Sequence, residues 1–97
     1  MKSLAEIKSI LSQYKPIIQE KYQVSELGIF GSYVRGEQNE QSDVDVLIDY
    51  QEAPSLLKLI ELEEYLSTHL GIKVDIVTKN GLKSWLKERV LQEVVYV

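Results

Sequence analysis

The chain has 97 residues, of which 44% are hydrophobic and 27% are charged, and its net charge at pH 7 is −4. This length suits one domain spanning residues 1–97 that buries ~60–65% of its unfolded surface, and the composition excludes disordered and fibrous proteins. The chain has no cysteine, which excludes disulfides, thiolate metal sites and cysteine nucleophiles. Because the chain is acidic and has only two arginines, we expect no direct nucleic-acid partner.

The sequence predicts neither a membrane span nor a secretory signal. No apolar run reaches ~18 residues, the length that a transmembrane helix needs. The amino-terminal segment MKSLAEIKSI has no small-residue cleavage site. Together with the lack of cysteine, these features favour a cytoplasmic protein without a membrane partner.

The amino-terminal segment predicts a helix. Ser3 and Glu6 form a capping-box pattern at its start. Apolar residues then recur every three or four positions on one face, at Leu4, Ile7, Ile10, Leu11, Tyr14, Ile17 and Ile18. Pro16 is expected to kink this helix or to begin a second short turn, because proline removes a backbone donor.

Three short strands are predicted from the next apolar segments, at residues 25–30, 44–48 and 72–78. With the helices before and between them, the elements follow the order helix, strand, turn or short helix, strand, helix, strand, helix. This order predicts an α+β or α/β layer of helices on a small β-sheet.

Two longer helices are predicted in the second half of the chain. One opens at Ser55 and stops at Gly71, and one side of it carries Leu56, Leu59, Ile60, Leu62, Leu66 and Leu70. The last helix runs from Leu82 to about Glu93, with inward-facing residues expected at Leu82, Trp85, Leu86 and Val90. The apolar tail at residues 94–97 must be covered, and we expect it to pack against the sheet.

Acidic residues inside strands are the strongest chemical signal. Asp43 and Asp45 alternate with apolar residues, so both point to one face, ~6.6 Å apart along the strand. Two like charges flanked by apolar residues are unfavourable unless a cation lies between them, and hard oxygen ligands favour magnesium or manganese. Asp75 lies in a third apolar run and can complete a three-carboxylate cluster for two metal ions if the two strands are neighbours. Taken singly, Asp43 also suits a turn, and Asp75 a solvent-facing edge strand.

The bend at Gly31 and Ser32 is a candidate phosphate site. Glycine lets the backbone approach a phosphate closely, and Ser32 opens a short helical turn with free N–H groups and a hydroxyl. Strand pairing brings this bend next to the start of the strand at Asp43. Ser32 also suits a helix cap, and the two roles are compatible.

These residues resemble a known family. Gly31-Ser32, ten intervening residues and Asp43-Val44-Asp45 match the G-S-x10-D-x-D signature of DNA polymerase β-like nucleotidyltransferases. The fuller stretch, with Arg35-Gly36-Glu37, is similar to the minimal nucleotidyltransferase (MNT) antitoxins that pair with HEPN-domain toxins, although Val34 stands where the family more often has alanine. The resemblance implies an α+β fold with a small mixed sheet flanked by helices.

The resemblance also implies an activity and residue roles. MNT antitoxins use Mg-ATP to transfer AMP to a tyrosine of the cognate HEPN ribonuclease, which silences it. Gly31 and Ser32 would then hold the triphosphate, while Asp43 and Asp45 would bind magnesium, with two ions expected and Mn²⁺ as an alternative. Asp75 would bind the catalytic metal or accept the tyrosine proton. Arg35 would contact ATP phosphates or the partner, or form a structural ion pair.

Two other functions remain open at this point. The protein could neutralise its toxin by binding alone, without chemistry. It could also modify a small molecule, although such nucleotidyltransferases normally carry an added acceptor-binding domain. The sequence leaves open the nucleotide preference, the number of AMP units, the acceptor residue and the oligomeric state.

Overall fold

The computed structural model describes residues 2–97. The elements in chain order are helix α1 (Leu4–Tyr22), strand β1 (Val24–Phe30), helix α2 (Ser32–Arg35), strand β2 (Val44–Tyr50), helix α3 (Leu56–Leu70), strand β3 (Val74–Thr78), a 3₁₀ turn (Lys79–Gly81), helix α4 (Ser84–Glu93) and strand β4 (Val95–Tyr96). Within this part of the chain, no helix is long and apolar enough to cross a membrane.

The four strands form one mixed sheet in the order β3-β2-β1-β4. Strand β1 pairs antiparallel with both β2 and β4, whereas β2 and β3 are parallel. The parallel pair is possible because α3 supplies the long crossover that parallel strands require. The expected small mixed sheet flanked by helices is therefore confirmed.

Helices α1 and α3 cover one face of the sheet and form the core with it. Along β2, Val44, Val46 and Ile48 are fully buried on this face, as strand alternation requires. They belong to the same cluster as residues of the two helices, among them Ile7, Leu11, Ile18, Leu62, Leu66 and Leu70. The side chains at the alternate positions of β2 therefore point to the opposite face.

Helix α1 runs without a break through Pro16, so the predicted second short turn does not form. The capping box is present, because the Ser3 hydroxyl accepts from the Glu6 amide and the Glu6 carboxylate accepts from the Ser3 amide. Buried residues lie on both sides of the proline, at Leu11 and Ile18. Packing of both halves on one core stabilises a continuous helix at a position where local propensity disfavours it.

Several residues expected to face inward are exposed. Ile17 and Ile60 are about half exposed, Leu56 is 72% exposed and Trp85 is 71% exposed. In α3 the buried positions are Leu62, Leu66 and Leu70, all of which lie beyond the first turn of the helix. The predicted stripes were therefore wrong at these four positions, although the helices themselves are present.

The apolar tail forms an additional strand. Val95 and Tyr96 pair with Ile29 and Gly28 on the free edge of β1, and the Val97 amide donates to the Leu27 carbonyl at 2.8 Å. The tail was expected to pack against the sheet, and it extends the sheet instead. Pairing satisfies backbone groups that an edge strand would otherwise expose.

Candidate active site

Strands β2 and β3 place two aspartates side by side. Asp45 and Asp75 are register partners in the parallel ladder. Residues at the same register position point to the same face, and this is the face opposite the α1 and α3 layer. Asp43 precedes β2 by one residue and lies two positions before Asp45, so strand alternation directs it to the same side. The structure therefore places the three predicted carboxylates on one face of the sheet.

Burial and the charges of this cluster shift the pKa of Asp45. Asp45 is partly buried, and this burial raises the pKa of its carboxyl above the ordinary value. The negative charges of Asp75 and Asp43 raise the pKa further, while Arg35 opposes them. An unfavourable carboxylate cluster of this kind is typical of a site that a cation completes.

Gly31 lies directly against Asp45. It has φ +80° and ψ −152°, a conformation that is essentially restricted to glycine. A Cβ atom at this position would collide with the Asp45 carboxylate. The bend at Gly31 and Ser32 is therefore adjacent to the carboxylates, as predicted, and the close approach requires glycine.

Lys73 lies between two of the carboxylates. Its ammonium nitrogen is 3.8 Å from Asp43 Oδ2 and 4.0 Å from Asp75 Oδ1. The Lys73 side chain is 68% exposed and can therefore move away from the two carboxylates. The position of this ammonium shows that the cluster attracts positive charge.

The carboxylates fit a hard divalent cation by their chemistry. All three supply oxygen ligands, and no sulfur or imidazole ligand accompanies them. Among the residues from 2 to 97, no three acidic or histidine side chains converge closely enough to hold a metal ion as they stand. Binding would therefore require Asp43 and Asp75 to turn from Lys73 toward Asp45, and both are exposed enough to do so.

Helix α4 contributes a residue that sequence reasoning did not identify. Glu93 accepts a hydrogen bond from the Gly31 amide at 2.8 Å and another from Arg35 at 2.9 Å. Its side chain is only 15% exposed. Burial alone would raise the pKa of Glu93, but the bonds from Arg35 and Gly31 and the charges of Arg35 and Arg89 bring it below the ordinary value. No local pattern marks Glu93, because its partners lie about 60 residues earlier in the chain.

Arg35 forms ion pairs in this structure. Its guanidinium donates to Glu93 from one side and to Glu37 at 3.1 Å from the other. Of the roles considered for Arg35, the ion pair with an acid is therefore the one observed. The Arg35 side chain is 38% exposed and lines the cavity beside Asp45.

A cavity of about 240 Å³ opens beside these residues. Its lining includes Gly31 and Asp45 on the sheet side and Leu86, Arg89 and Glu93 on α4. A larger cavity of about 470 Å³ lies elsewhere, next to the first turn of α1, and contains none of the predicted site residues. Asp45, the glycine bend and the basic residues Arg35 and Arg89 line the smaller cavity, and Asp75 lies beside Asp45 on the neighbouring strand. We take this region as the candidate active site.

Comparison with known proteins agrees with this geometry. Residues 11–97 match the family model described as the nucleotidyltransferase domain. A protein adenylyltransferase of Thermococcus cleftensis, named MntA, is 58% identical over 97 residues that cover all of this chain and 98% of that protein. A Methanocaldococcus jannaschii protein provisionally named a protein adenylyltransferase is 55% identical over 98 residues and covers all of both chains.

Solved structures show the same fold. One that is provisionally named a minimal nucleotidyltransferase is 35% identical, has a TM-score of 0.74, and covers 94% of this chain and 88% of its own. A complex of a tri-AMPylated Shewanella oneidensis HEPN toxin with an MNT antitoxin superposes with a TM-score of 0.71 at 16% identity, over 93% of this chain and 70% of the other. The expected relationship to minimal nucleotidyltransferases is confirmed. The family match and the similarity to these adenylyltransferases over the whole chain show that the chain belongs to the nucleotidyltransferase family and is a small enzyme of this class.

Proposed function

We propose that this nucleotidyltransferase transfers AMP from Mg-ATP to a tyrosine hydroxyl of a partner HEPN toxin and so acts as its antitoxin. The observation that carries the proposal is the placement of Asp45 and Asp75 on one face, beside the Gly31 bend. The relatives named protein adenylyltransferases, and the AMPylated toxin in the Shewanella oneidensis complex, support the choice of a protein acceptor. The need for ATP makes the cytoplasm the expected place of the reaction.

The phosphates of ATP are proposed to bind at the bend. The Ser32 hydroxyl and amide are suited to donate to phosphate oxygens, and Gly31 allows the triphosphate to approach the backbone. The exposed part of Arg35 adds positive charge at the same edge. These groups orient the nucleotide so that its α-phosphorus faces the carboxylates.

Asp43, Asp45 and Asp75 are proposed to hold the divalent ions. When bound, the ions would neutralise phosphate charge and polarise the α-phosphorus. Asp75 accepts the proton of the tyrosine hydroxyl while the phenol oxygen forms its bond to the α-phosphorus. The bond between the α-phosphorus and the bridging oxygen breaks, and pyrophosphate leaves with that electron pair.

The test combines two differently labelled nucleotides with the purified partner. We expect label in the partner from α-labelled ATP and none from γ-labelled ATP, because pyrophosphate is released. The double variant Asp43→Asn/Asp45→Asn should abolish labelling. Asp49→Asn is the matched control, because Asp49 lies on the same strand but its carboxylate bonds the Tyr50 amide. If the partner remains unlabelled while the chain is folded, the proposed transfer is wrong.

Neutralisation by binding alone is a second candidate. The exposed side chains of Leu56, Leu57 and Trp85 favour it, because each is more than 70% exposed and protein interfaces are rich in such residues. The double variant Asp43→Asn/Asp45→Asn separates the two functions. If it still neutralises the toxin fully, binding is sufficient.

A further inference from the structure

One carboxylate, that of Glu93, contacts both the Gly31 bend and Arg35. One oxygen of Glu93 accepts from the Gly31 amide at 2.8 Å, and the other accepts from the Arg35 guanidinium at 2.9 Å. The two bonds use both oxygens, so a neutral amide at this position could accept only one of them. Both bonds are charge-assisted and therefore stronger than ordinary hydrogen bonds.

The two groups that Glu93 holds need such support. Gly31 occupies a conformation that glycine adopts readily and other residues do not, and a glycine has many alternative conformations unless surrounding contacts restrict it. Arg35 ends a helix of only four residues, which has little stability of its own. Without Glu93, both the bend and the guanidinium would sample other orientations.

We propose that Glu93 is a positioning residue of the nucleotide site. By binding Gly31 and Arg35 together, it fixes the bend so that the Ser32 amide and hydroxyl remain directed to the phosphates. It also fixes the Arg35 guanidinium at the edge of the cavity. The inference rests on the proposed role of the bend in binding ATP.

The same contact links the nucleotide site to the end of the chain. Glu93 is the last residue of α4, and β4 begins at Val95, where it pairs with β1. The antiparallel pairing of Ile29 with Val95 places the end of α4 beside the end of β1, from which Gly31 follows. Glu93 thus lies at a helix end that the pairing of β4 with β1 attaches to the sheet, which suits a positioning group.

The test measures ATP binding and turnover of Glu93→Gln, with Glu88→Gln as the matched control. Glu88 lies on the same helix but is exposed. We expect Glu93→Gln to raise the KM and Kd for ATP about ten-fold or more, with a smaller loss in kcat, because a charge-assisted bond is lost. Glu88→Gln should remain within two-fold of the wild-type protein. Equal ATP affinity in both variants would overturn the inference.

Two further measurements exclude a merely structural role. The Ser32 amide resonance should shift on addition of a non-hydrolysable Mg-ATP analogue, and the shift should require about ten-fold more nucleotide in Glu93→Gln. The double variant Glu93→Gln/Arg35→Gln should lose less affinity than the sum of the two single losses, because both substitutions remove the same Glu93–Arg35 bond. Additive losses, or a loss of thermal stability with unchanged ATP affinity in the folded protein, would contradict positioning.

Failure of the inference can be distinguished from failure of the proposed function. If the wild-type protein binds no ATP and labels no partner, the proposed function is wrong and Glu93 has no nucleotide site to support. If the wild-type protein is active and Glu93→Gln matches it, only the positioning role is wrong. Should Glu93→Gln fold poorly, Arg35→Gln removes the Arg35 half of the contact from its exposed side, and the same titration of the Ser32 amide resonance measures its effect.

Discussion

Asp45 and Asp75 occupy the same register position on two parallel strands, so their carboxylates lie next to each other on one face of the sheet. Neither carboxylate accepts a hydrogen bond from the protein among the residues described. Their mutual repulsion, together with burial, raises the pKa of Asp45. The arrangement is unfavourable for the metal-free protein and suitable for binding cations, which is typical of sites where function costs stability.

Asp45→Asn should therefore stabilise the metal-free protein while it abolishes transfer. Removing one negative charge relieves repulsion from Asp75 and Asp43, and we expect a gain of roughly 0.5–1 kcal/mol, because solvent screens a half-exposed carboxylate. Nucleotidyl transfer should fall by at least about 100-fold. Thermal unfolding in a metal chelator and the labelling assay measure the two effects. A loss of stability at pH 7 would show that Asp45 is not under repulsive strain.

The pH dependence of this gain follows from the sign of the shift. The folded-state pKa of Asp45 lies above its unfolded value, so the folded protein binds the proton more tightly. The stability gained from this tighter proton binding is fully present below the unfolded pKa of Asp45 and is lost as pH rises through the folded pKa. The advantage of Asp45→Asn should consequently be largest at neutral pH and disappear in acid. Denaturation curves of both proteins over that pH range test this, and a constant difference would contradict it.

Gly31→Ala should reduce both stability and activity, whereas Gly71→Ala should reduce stability only. Both glycines have positive φ, but the space at Gly71 is open while a Cβ at Gly31 collides with Asp45. We expect Gly31→Ala to cost ~1–3 kcal/mol, and Gly71→Ala ~1 kcal/mol. Chemical denaturation and the labelling assay provide the comparison. Full activity in Gly31→Ala would mean that the close approach is not needed.

The site was predictable from the sequence where its residues are close along the chain. The Gly31-Ser32 bend and the Asp43 and Asp45 pair lie within 15 residues and are read from strand alternation. The position of Asp75 was predictable only on the assumption that β2 and β3 are neighbours. A helix between two strands, here α3, is the usual connection between parallel neighbours. The sequence therefore specified the local chemistry of the site.

Residues whose role depends on distant packing were not predictable in the same way. Glu93 is a single glutamate in a helical segment, and only the pairing of β4 with β1 brings it to Gly31. Trp85 fits the predicted apolar stripe of α4, yet it is exposed, and Val90 is the residue of this helix that is buried. Periodicity shows which side of a helix is apolar, but it does not show how far a neighbouring element extends.

Divalent ions should stabilise the folded protein through the carboxylate cluster. At a concentration one hundred times the Kd, bound Mg²⁺ or Mn²⁺ should contribute about 2.7 kcal/mol. For a domain of this size, the melting temperature should then rise by roughly 10–20 °C. The double variant Asp43→Asn/Asp45→Asn should lose this rise. An equal rise in the melting temperature of the variant would mean that the ion binds elsewhere.

Lys73 should compete with these ions. Its ammonium lies about 4 Å from Asp43 and Asp75, where a bound ion would add further positive charge. Lys73→Gln should therefore strengthen Mn²⁺ binding by up to about five-fold, since an exposed ion pair contributes at most about 1 kcal/mol. Lys8→Gln, at an exposed position of α1, is the control for the change in net charge. Titration calorimetry measures both, and weaker binding in Lys73→Gln would mean that Lys73 assists the ion.

The acceptor protein should approach over α4. Trp85 lies on this helix, four residues before Arg89 and adjacent in sequence to Leu86, and both of these line the cavity beside Asp45. Because its side chain is 71% exposed, Trp85→Ala should change folding stability by less than about 0.5 kcal/mol. It should nevertheless lower kcat/KM for the partner by about ten-fold or more, since a tryptophan that a partner buries on binding is a common interface hot spot.

Leu57→Ala is the matched control for the acceptor surface. Leu57 is 78% exposed, but it lies on α3, which covers the face of the sheet opposite the carboxylates. A partner whose tyrosine reaches Asp75 must cover the α4 side, so Leu57→Ala should leave kcat/KM for the partner within about two-fold. Labelling rates at several partner concentrations distinguish the two variants. A larger effect at Leu57 than at Trp85 would place the partner on the α3 side, where a toxin could be bound without direct access to the carboxylates.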